Sequence, residues 1–246
     1  MSSTRLARFL VTTLLAAIGV SRLQSQVTVS NTGFQDLSVF TVSGSDLLQT
    51  NLASTALSPT NGYSTFANSL TGIMDGSFGS AGTDSGASVG FASGTSVTFL
   101  FDLTTNTRGY DLSSIKTYAA WDAGRDGQEY TVTYSTATDP TTFLALASAG
   151  PFDVTGNVPA GPAGRTLITI ADLGGGTLVG GVAGLRFTFT SYENGGTAYR
   201  EIDVQGTPTA IPESGTAPFI FGAAALTLAA LGRRTSKAKH RTPGQD

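Results

Sequence analysis

The stretch Ser96-Val97-Thr98-Phe99-Leu100-Phe101-Asp102-Leu103 decides the class of fold. Successive side chains of an extended chain point to opposite sides, so Val97, Phe99, Phe101 and Leu103 share one face while Thr98, Leu100 and Asp102 share the other. An apolar row repeating every second residue marks a strand half buried in a sheet. The pattern recurs downstream. Ser113 to Ala120 predicts a second strand, a turn follows at Asp122 to Gly127, and Glu129 to Ser135 sets Tyr130, Val132 and Tyr134 on one face. Arg165 to Ile170, Gly184 to Tyr192 and Tyr199 to Val204 bring the set to at least six strands. Asp126-Gly127 supplies the residue types of a tight turn, and Asn194-Gly195-Gly196 reads as a hairpin turn between the last two strands.

Composition agrees with an all-β domain. Residues 27–211 are rich in Gly, Thr, Ser and Ala and poor in Lys and Glu, which disfavours long helices. No stretch there sustains a 3.6-residue apolar period, although Asp46 to Leu57 has room for a single helical turn. Ser77 to Ser96 is Gly and Ser rich and reads as a long surface loop, since too little chain precedes it to form a separate core. Within 27–211, six basic residues (Arg108, Lys116, Arg125, Arg165, Arg186, Arg200) face fifteen acidic ones, a net charge of −9. That surface repels nucleic acid and anionic lipid.

Nucleophilic centres built on Cys-His or Ser-His-Asp are excluded, as are His-based metal sites. The chain has no Cys, and its single His, His240, lies near the C-terminal end. A glycosidase needs only two carboxylates, and Asp122, Asp126, Glu129, Glu193 and Asp203 are present. Acidic pairs in turns are ordinarily solvated, so a carbohydrate-active enzyme remains a distant alternative. Asp172-Leu173-Gly174-Gly175-Gly176 follows no phosphate-binding pattern and reads as a loop.

Both ends of the chain carry targeting features. Arg5 and Arg8 precede an apolar run from Phe9 to Val20 and a polar stretch from Ser21 to Gln26, the layout of a secretory signal peptide, here residues 1–25 with cleavage after Ser25. At the other end Pro212-Glu213-Ser214 precedes an apolar run from Ala217 to Leu231 and then Arg233-Arg234. Fifteen residues rise about 22 Å as a helix, short of the roughly 30 Å hydrocarbon core, and Pro218 and Gly222 interrupt them. The basic residues would hold that end on the cytoplasmic side. This tail resembles the PEP-CTERM sorting signal of Gram-negative bacteria, with Ser214 at the second Pro of the motif. The resemblance implies transient contact with the inner membrane, processing by an exosortase-like enzyme and delivery to the cell surface. The alternative is a plain single-span anchor. The chain thus divides into a signal peptide, a domain at 27–210, a sorting segment at 211–235 and a basic polar tail at 236–246.

Within the domain, Leu70-Thr71-Gly72-Ile73-Met74-Asp75-Gly76, the strand end Phe101-Asp102-Leu103 and Tyr110-Asp111-Leu112-Ser113-Ser114-Ile115-Lys116 resemble the opening of a discoidin-type, galactose-binding-like domain. Tyr130 to Ser135, Gly184 to Phe187 and Tyr199 to Gly206 are similar to its central, penultimate and closing strands. The resemblance spans roughly 35–207 and implies an antiparallel jelly-roll β-sandwich. It also implies a structural Ca2+ held by Asp75 and Glu201. Against that set, the family's Asn and nearby Thr after Asp-Gly are Ser77 and Phe78 here. Otherwise Asp75 caps a turn and Glu201 forms an ion pair at a strand edge.

The stretch Trp121-Asp122-Ala123-Gly124-Arg125-Asp126-Gly127-Gln128 is the candidate ligand site. An aromatic plate packs on the apolar face of a sugar ring while Arg, Asp and amide side chains fork hydrogen bonds to neighbouring hydroxyls. Trp121, Asp122, Arg125, Asp126 and Gln128 supply those types. The other reading places Trp121 in the end of the core and pairs Arg125 with Asp122 or Glu129. The expectation is a secreted, non-catalytic surface module for extracellular polysaccharide. Its rival is a purely structural coat or biofilm protein without a specific ligand.

Overall fold

The computed structural model describes residues 26–59, 63–65, 69–80, 89–122, 124–156, 162–190 and 196–211, with 63–65 described by backbone alone. Eleven strands account for most of them: β1 (Val27–Phe34), β2 (Leu52–Ser58), β3 (Tyr63–Thr65), β4 (Val89–Phe91), β5 (Ser96–Phe101), β6 (Tyr110–Trp121), β7 (Gln128–Thr136), β8 (Asp139–Phe152), β9 (Gly164–Asp172), β10 (Val179–Phe189) and β11 (Thr197–Pro208). One helical turn, α1 (Leu47–Thr50), and a 3-10 turn at Leu70–Ile73 complete the set.

Every strand pairing is antiparallel. One layer runs β1-β9-β6-β11-β4-β3 and the other β2-β5-β10-β7-β8, joined at a corner where β10 meets β6 only at Val179 with Leu112 and Val182 with Tyr110. The layers close face to face through aromatic rings. Phe91 of β4 stacks on Phe189 of β10 at 4.2 Å, and Tyr130 of β7 meets Tyr199 of β11 at 6.4 Å. The protein is an all-β, antiparallel β-sandwich of the jelly-roll kind, as its alternating strands predict.

The main core contains Val97, Phe99 and Phe101 of the opening stretch, together with Ile115, Val132, Ile168, Leu185, Phe187, Ile202 and Val204. A second, smaller core covers the outer face of β6. There Phe78, Tyr118 and Ala120 pack with Leu37, Phe40 and Val42 from the segment after β1. Phe40 meets Phe78 edge to face at 5.7 Å. Burying Phe78 and Tyr118 stabilises this cover by roughly 1.5–3 kcal/mol each, and the cover roofs the carboxylate cluster described below.

The structure corrects several expectations. The stretch 46–57 divides into the expected helical turn and then β2, and the Ser77 to Ser96 stretch contains β4. The edge strand β8 is mostly exposed and carries no strong apolar alternation, which is why its sequence does not announce it. No hairpin joins β10 to β11, because they lie in opposite layers; residues 191–195 of that connection are outside the described residues. Likewise β6 and β7 do not pair, so the connection between them crosses from one layer to the other, and among its described residues the positive φ, 66°, falls at Gly124 rather than at Gly127.

Contacts divide the chain into Met1–Thr209 and Ala210–Asp246. Of the second unit only 210 and 211 are described, and 1–25 are also outside the described residues. The signal and sorting helices, Pro212, Glu213, Ser214, Arg233 and Arg234 therefore fall outside them. Among the described residues no helix is long and apolar enough to cross a membrane.

Candidate functional site

The site begins with a bulge. The register of β11 against β6 shifts between Tyr199 and Glu201, which inserts Arg200 as an extra residue. Tyr199 stays in the main core, while Arg200 donates from Nε to the Ala120 carbonyl at 3.3 Å and lies 5.7 Å from the centre of the Phe78 ring. Beyond the bulge, Glu201 pairs in register with Tyr118 and Asp203 with Lys116, while Ile202 and Val204 join the main core. Alternation along Glu201-Ile202-Asp203-Val204 thus puts both carboxylates on the outer face, under the segment after β1.

A third carboxylate arrives from that segment. Asp46 caps α1, its Oδ1 accepting from the Leu48 amide at 2.7 Å, while the Asp46 amide donates to Gln49 Oε1 at 2.8 Å. Gln49 Nε2 then donates to Glu201 Oε1 at 3.2 Å, tying the cap to β11. Asp46, Glu201 and Asp203 each place one carboxylate oxygen within 4.8 Å of the others. They are 3%, 0% and 3% exposed. Asp203 Oδ2 accepts from the Ser43 amide at 2.9 Å and the Tyr118 hydroxyl at 3.0 Å. Asp203 Oδ1, Asp46 Oδ2 and Glu201 Oε2 are buried without a hydrogen-bond partner.

Three carboxylates in so small a volume repel one another, and burial penalises each charge. Burial, opposed by the Leu48 amide and reinforced by the Asp203 charge, pushes Asp46 up to about 6. Burial, opposed by the Gly76 amide and reinforced by the charges of Asp75, Asp203 and Asp46, pushes Glu201 up to about 9. Asp203 is also raised, by burial, with the Ser43 amide, Tyr118 and Lys116 pulling it back. Either protons or a cation must neutralise the cluster. The residues present fit a hard divalent cation such as Ca2+: all donors are oxygens, and one buried oxygen of each carboxylate is otherwise orphaned.

Glu201 was the expected ligand, but its expected companion is not in the cluster. Asp75 is exposed, and its Oδ1 accepts from the Ser77 amide at 2.9 Å, the turn-capping role. Asp46 and Asp203, not Asp75, lie beside Glu201. The Asp75-Gly76 turn still shapes the site, because the Gly76 amide reaches Glu201. Gly76 has φ 76°, and a Cβ there would stand 2.9 Å from the Gly44 Cα, so no other residue fits without displacing the 43–46 segment. Both missed carboxylates had a signal in the sequence. Glu-x-Asp on a strand shares a face, and Asp46-Leu47-Leu48-Gln49 has the spacing of a capping box.

The structure splits the expected ligand residues. Trp121 ends β6 half-buried and outside both core clusters, Asp122 is exposed, and Arg125 is half-buried with its carbonyl accepting from the Ala198 amide at 2.8 Å. Asp126 and Gln128 are each 0% exposed, so they do not face solvent beside the other three. Gln128 Oε1 accepts from the Thr117 hydroxyl at 2.6 Å, and its Nε2 donates to the Thr117 carbonyl at 3.2 Å and to Thr166 Oγ1 at 3.0 Å. Asp126 accepts from the Thr155 hydroxyl and, at 3.4 Å, from the Val154 amide, and its own carbonyl accepts from Thr166 Oγ1. Burial raises the Asp126 carboxyl, the Thr155 hydrogen bond opposing it. These two residues fix the crossover between layers.

Neither a protein-family model nor a curated protein matches the chain. In structure it is similar to CpGH89CBM32-5 from Clostridium perfringens, in complex with GalNAc-β-1,3-galactose, with 14% identity, TM-score 0.40, and 65% of this chain and 99% of that one covered. It is also similar to CBM32-1 from a family 31 glycoside hydrolase of Clostridium perfringens, with 11% identity, TM-score 0.38, and 62% and 94% covered. A third likeness is chitosan-binding module 1 of a chitosanase/glucanase from Paenibacillus sp. IK-5, with 14% identity, TM-score 0.32, and 66% and 99% covered.

Proposed function

We propose that the protein is a Ca2+-stabilised, non-catalytic binding module, exported and sorted to the surface of a Gram-negative cell, where it holds extracellular polysaccharide. The observation that carries this reading is the buried cluster of Asp46, Glu201 and Asp203 with an orphaned oxygen on each. Those three side chains would hold the cation, which supplies charge neutralisation and cross-links the 43–46 segment to β11 in a domain without disulfides. The carboxylates turn toward one another inside the fold, and none is placed to meet a sugar from solvent. Ligand contact falls to the crossover tip, where Trp121, Asp122 and Arg125 reach the surface. Export and exosortase-like sorting rest on the two ends of the sequence.

The structural-coat reading keeps one observation in its favour, the inward commitment of Asp126 and Gln128, which leaves the tip fewer polar groups than expected. Glycan binding by Trp121→Ala separates the two. In the binding reading, the parent protein binds glycan, the variant binds it at least about tenfold more weakly, and stability changes by about 0.5 kcal/mol or less, as for a surface change. A parent without glycan affinity, together with a variant weakened by roughly 3–5 kcal/mol, would assign Trp121 to packing and the protein to the coat class.

A further inference from the structure

The start of β6, at the opposite pole from Trp121, borders an open cleft of about 670 Å3. It lies between five chain segments: the β5–β6 loop with Arg108, the start of β6 with Asp111, the end of β7 and the turn after it with Thr136 and Thr138, the β9–β10 loop with Leu178, and Thr209 after β11. We propose that this cleft is a second binding site, for a short stretch of neutral saccharide, and that the module is therefore bivalent. The inference rests on the polysaccharide-binding reading above and adds to it a site at the other pole.

The side chains fit that ligand by type and by what the fold leaves open. Asp111 Oδ1 is taken by the protein, accepting from the Thr209 hydroxyl at 2.6 Å and the Gly181 amide at 3.0 Å. Those bonds lock the carboxylate in place, and its Oδ2 takes no part in them. Arg108 is exposed, and its guanidinium is in no ion pair among the described residues, so its fork of donors is available for adjacent hydroxyls. Thr136 and Thr138 share a hydroxyl–hydroxyl bond of 3.0 Å at the rim. A rigid acceptor, a forked donor and several hydroxyls over a floor containing buried Leu178 make a pocket for a polyol, and the volume is that of an ordinary small-ligand site.

Charge selects the neutral class. A uronate's carboxylate would gain from Arg108 but meet Asp111 in the same cleft and a domain of net charge −9, so the balance is repulsive. The cleft lining contains no aromatic residue, so binding there depends on hydrogen bonds, whereas the tip offers the ring of Trp121. The twelve residues of β6 separate the two sites by roughly 35 Å at about 3.3 Å per residue. Two sites so far apart on a rigid body cannot occupy one sugar unit and instead bridge chains or distant units of one chain.

The test is a printed array of neutral and uronic-acid oligosaccharides, probed with the full chain, Arg108→Ala, Trp121→Ala and the double variant. The proposal expects neutral spots to bind the parent, each single variant to lose about tenfold in apparent affinity, and the double variant to lose all signal. Should Arg108→Ala prove unstable, Thr138→Ala, an exposed change, carries the same expectation in a smaller measure. Loss of all signal with Trp121→Ala and none with Arg108→Ala would overturn the cleft and leave the tip site standing. Signal confined to uronic-acid spots would overturn the neutral class. A parent that binds no spot would overturn the polysaccharide reading itself.

Discussion

Glu201, with its carboxylate pushed up to about 9, sets the chemistry of this domain at the scale of one residue. Its ordinary value is 4.5, so the folded protein binds a proton there that the unfolded chain releases. Without a cation, that contribution to stability is full below about 4.5 and is lost as pH rises through about 9; Asp46 acts in the same sense between 3.8 and about 6. We predict that in chelator the melting temperature declines with rising pH across that window, and that millimolar Ca2+ flattens the decline by taking the place of the protons. A melting temperature in chelator that climbs with pH would contradict the assignment. Glu201→Gln keeps the shape and removes one charge. It is expected to melt higher than the parent in chelator at pH 8 and to gain little from Ca2+. Equal responses of parent and variant to Ca2+ would remove Glu201 from the site.

At the scale of elements, the crossover from β6 to β7 is held from inside by Gln128 and Asp126 rather than spread over the surface. Gln128→Ala removes its bonds to Thr117 and Thr166, whose hydroxyls keep only Tyr130 and the Asp126 carbonyl, and chemical denaturation should show a loss of about 1–3 kcal/mol. A change under 0.5 kcal/mol would mean the network is dispensable. Strands with inward rows of Val, Phe, Ile or Tyr, such as β5, β7 and β9, were legible because burial on one face imposes a period of two. β8 was not, since it lies at an edge with both faces largely open. Pairing across the sandwich was also illegible. Asn194-Gly195-Gly196 and Asp126-Gly127 have turn chemistry, yet local turn residues do not say whether the next strand stays in its layer. The same limit applied to the carboxylate cluster. Glu201 was expected from the resemblance and Asp203 shares its face by alternation, but the bulge at Arg200 that turns both outward and the folding of the 43–46 segment that brings Asp46 over β11 were not legible.

For the molecule as a whole, the proposed export and sorting rest on the two ends of the sequence. The segment after Pro212-Glu213-Ser214 is too short and too interrupted to anchor well. Mass spectrometry of the surface form is therefore expected to find no peptide beyond about residue 214, and recovery of Phe219 to Leu231 from that form would leave a plain anchor instead. If a cation neutralises Asp46, Glu201 and Asp203, thermal melting of the protein titrated with Ca2+ at neutral pH registers it most directly. Binding to the folded state alone requires the melting temperature to climb steadily with free Ca2+ above the dissociation constant and to fall back on addition of EDTA. A melting temperature unmoved from chelator to millimolar Ca2+ would remove the cation and leave the cluster neutralised by protons.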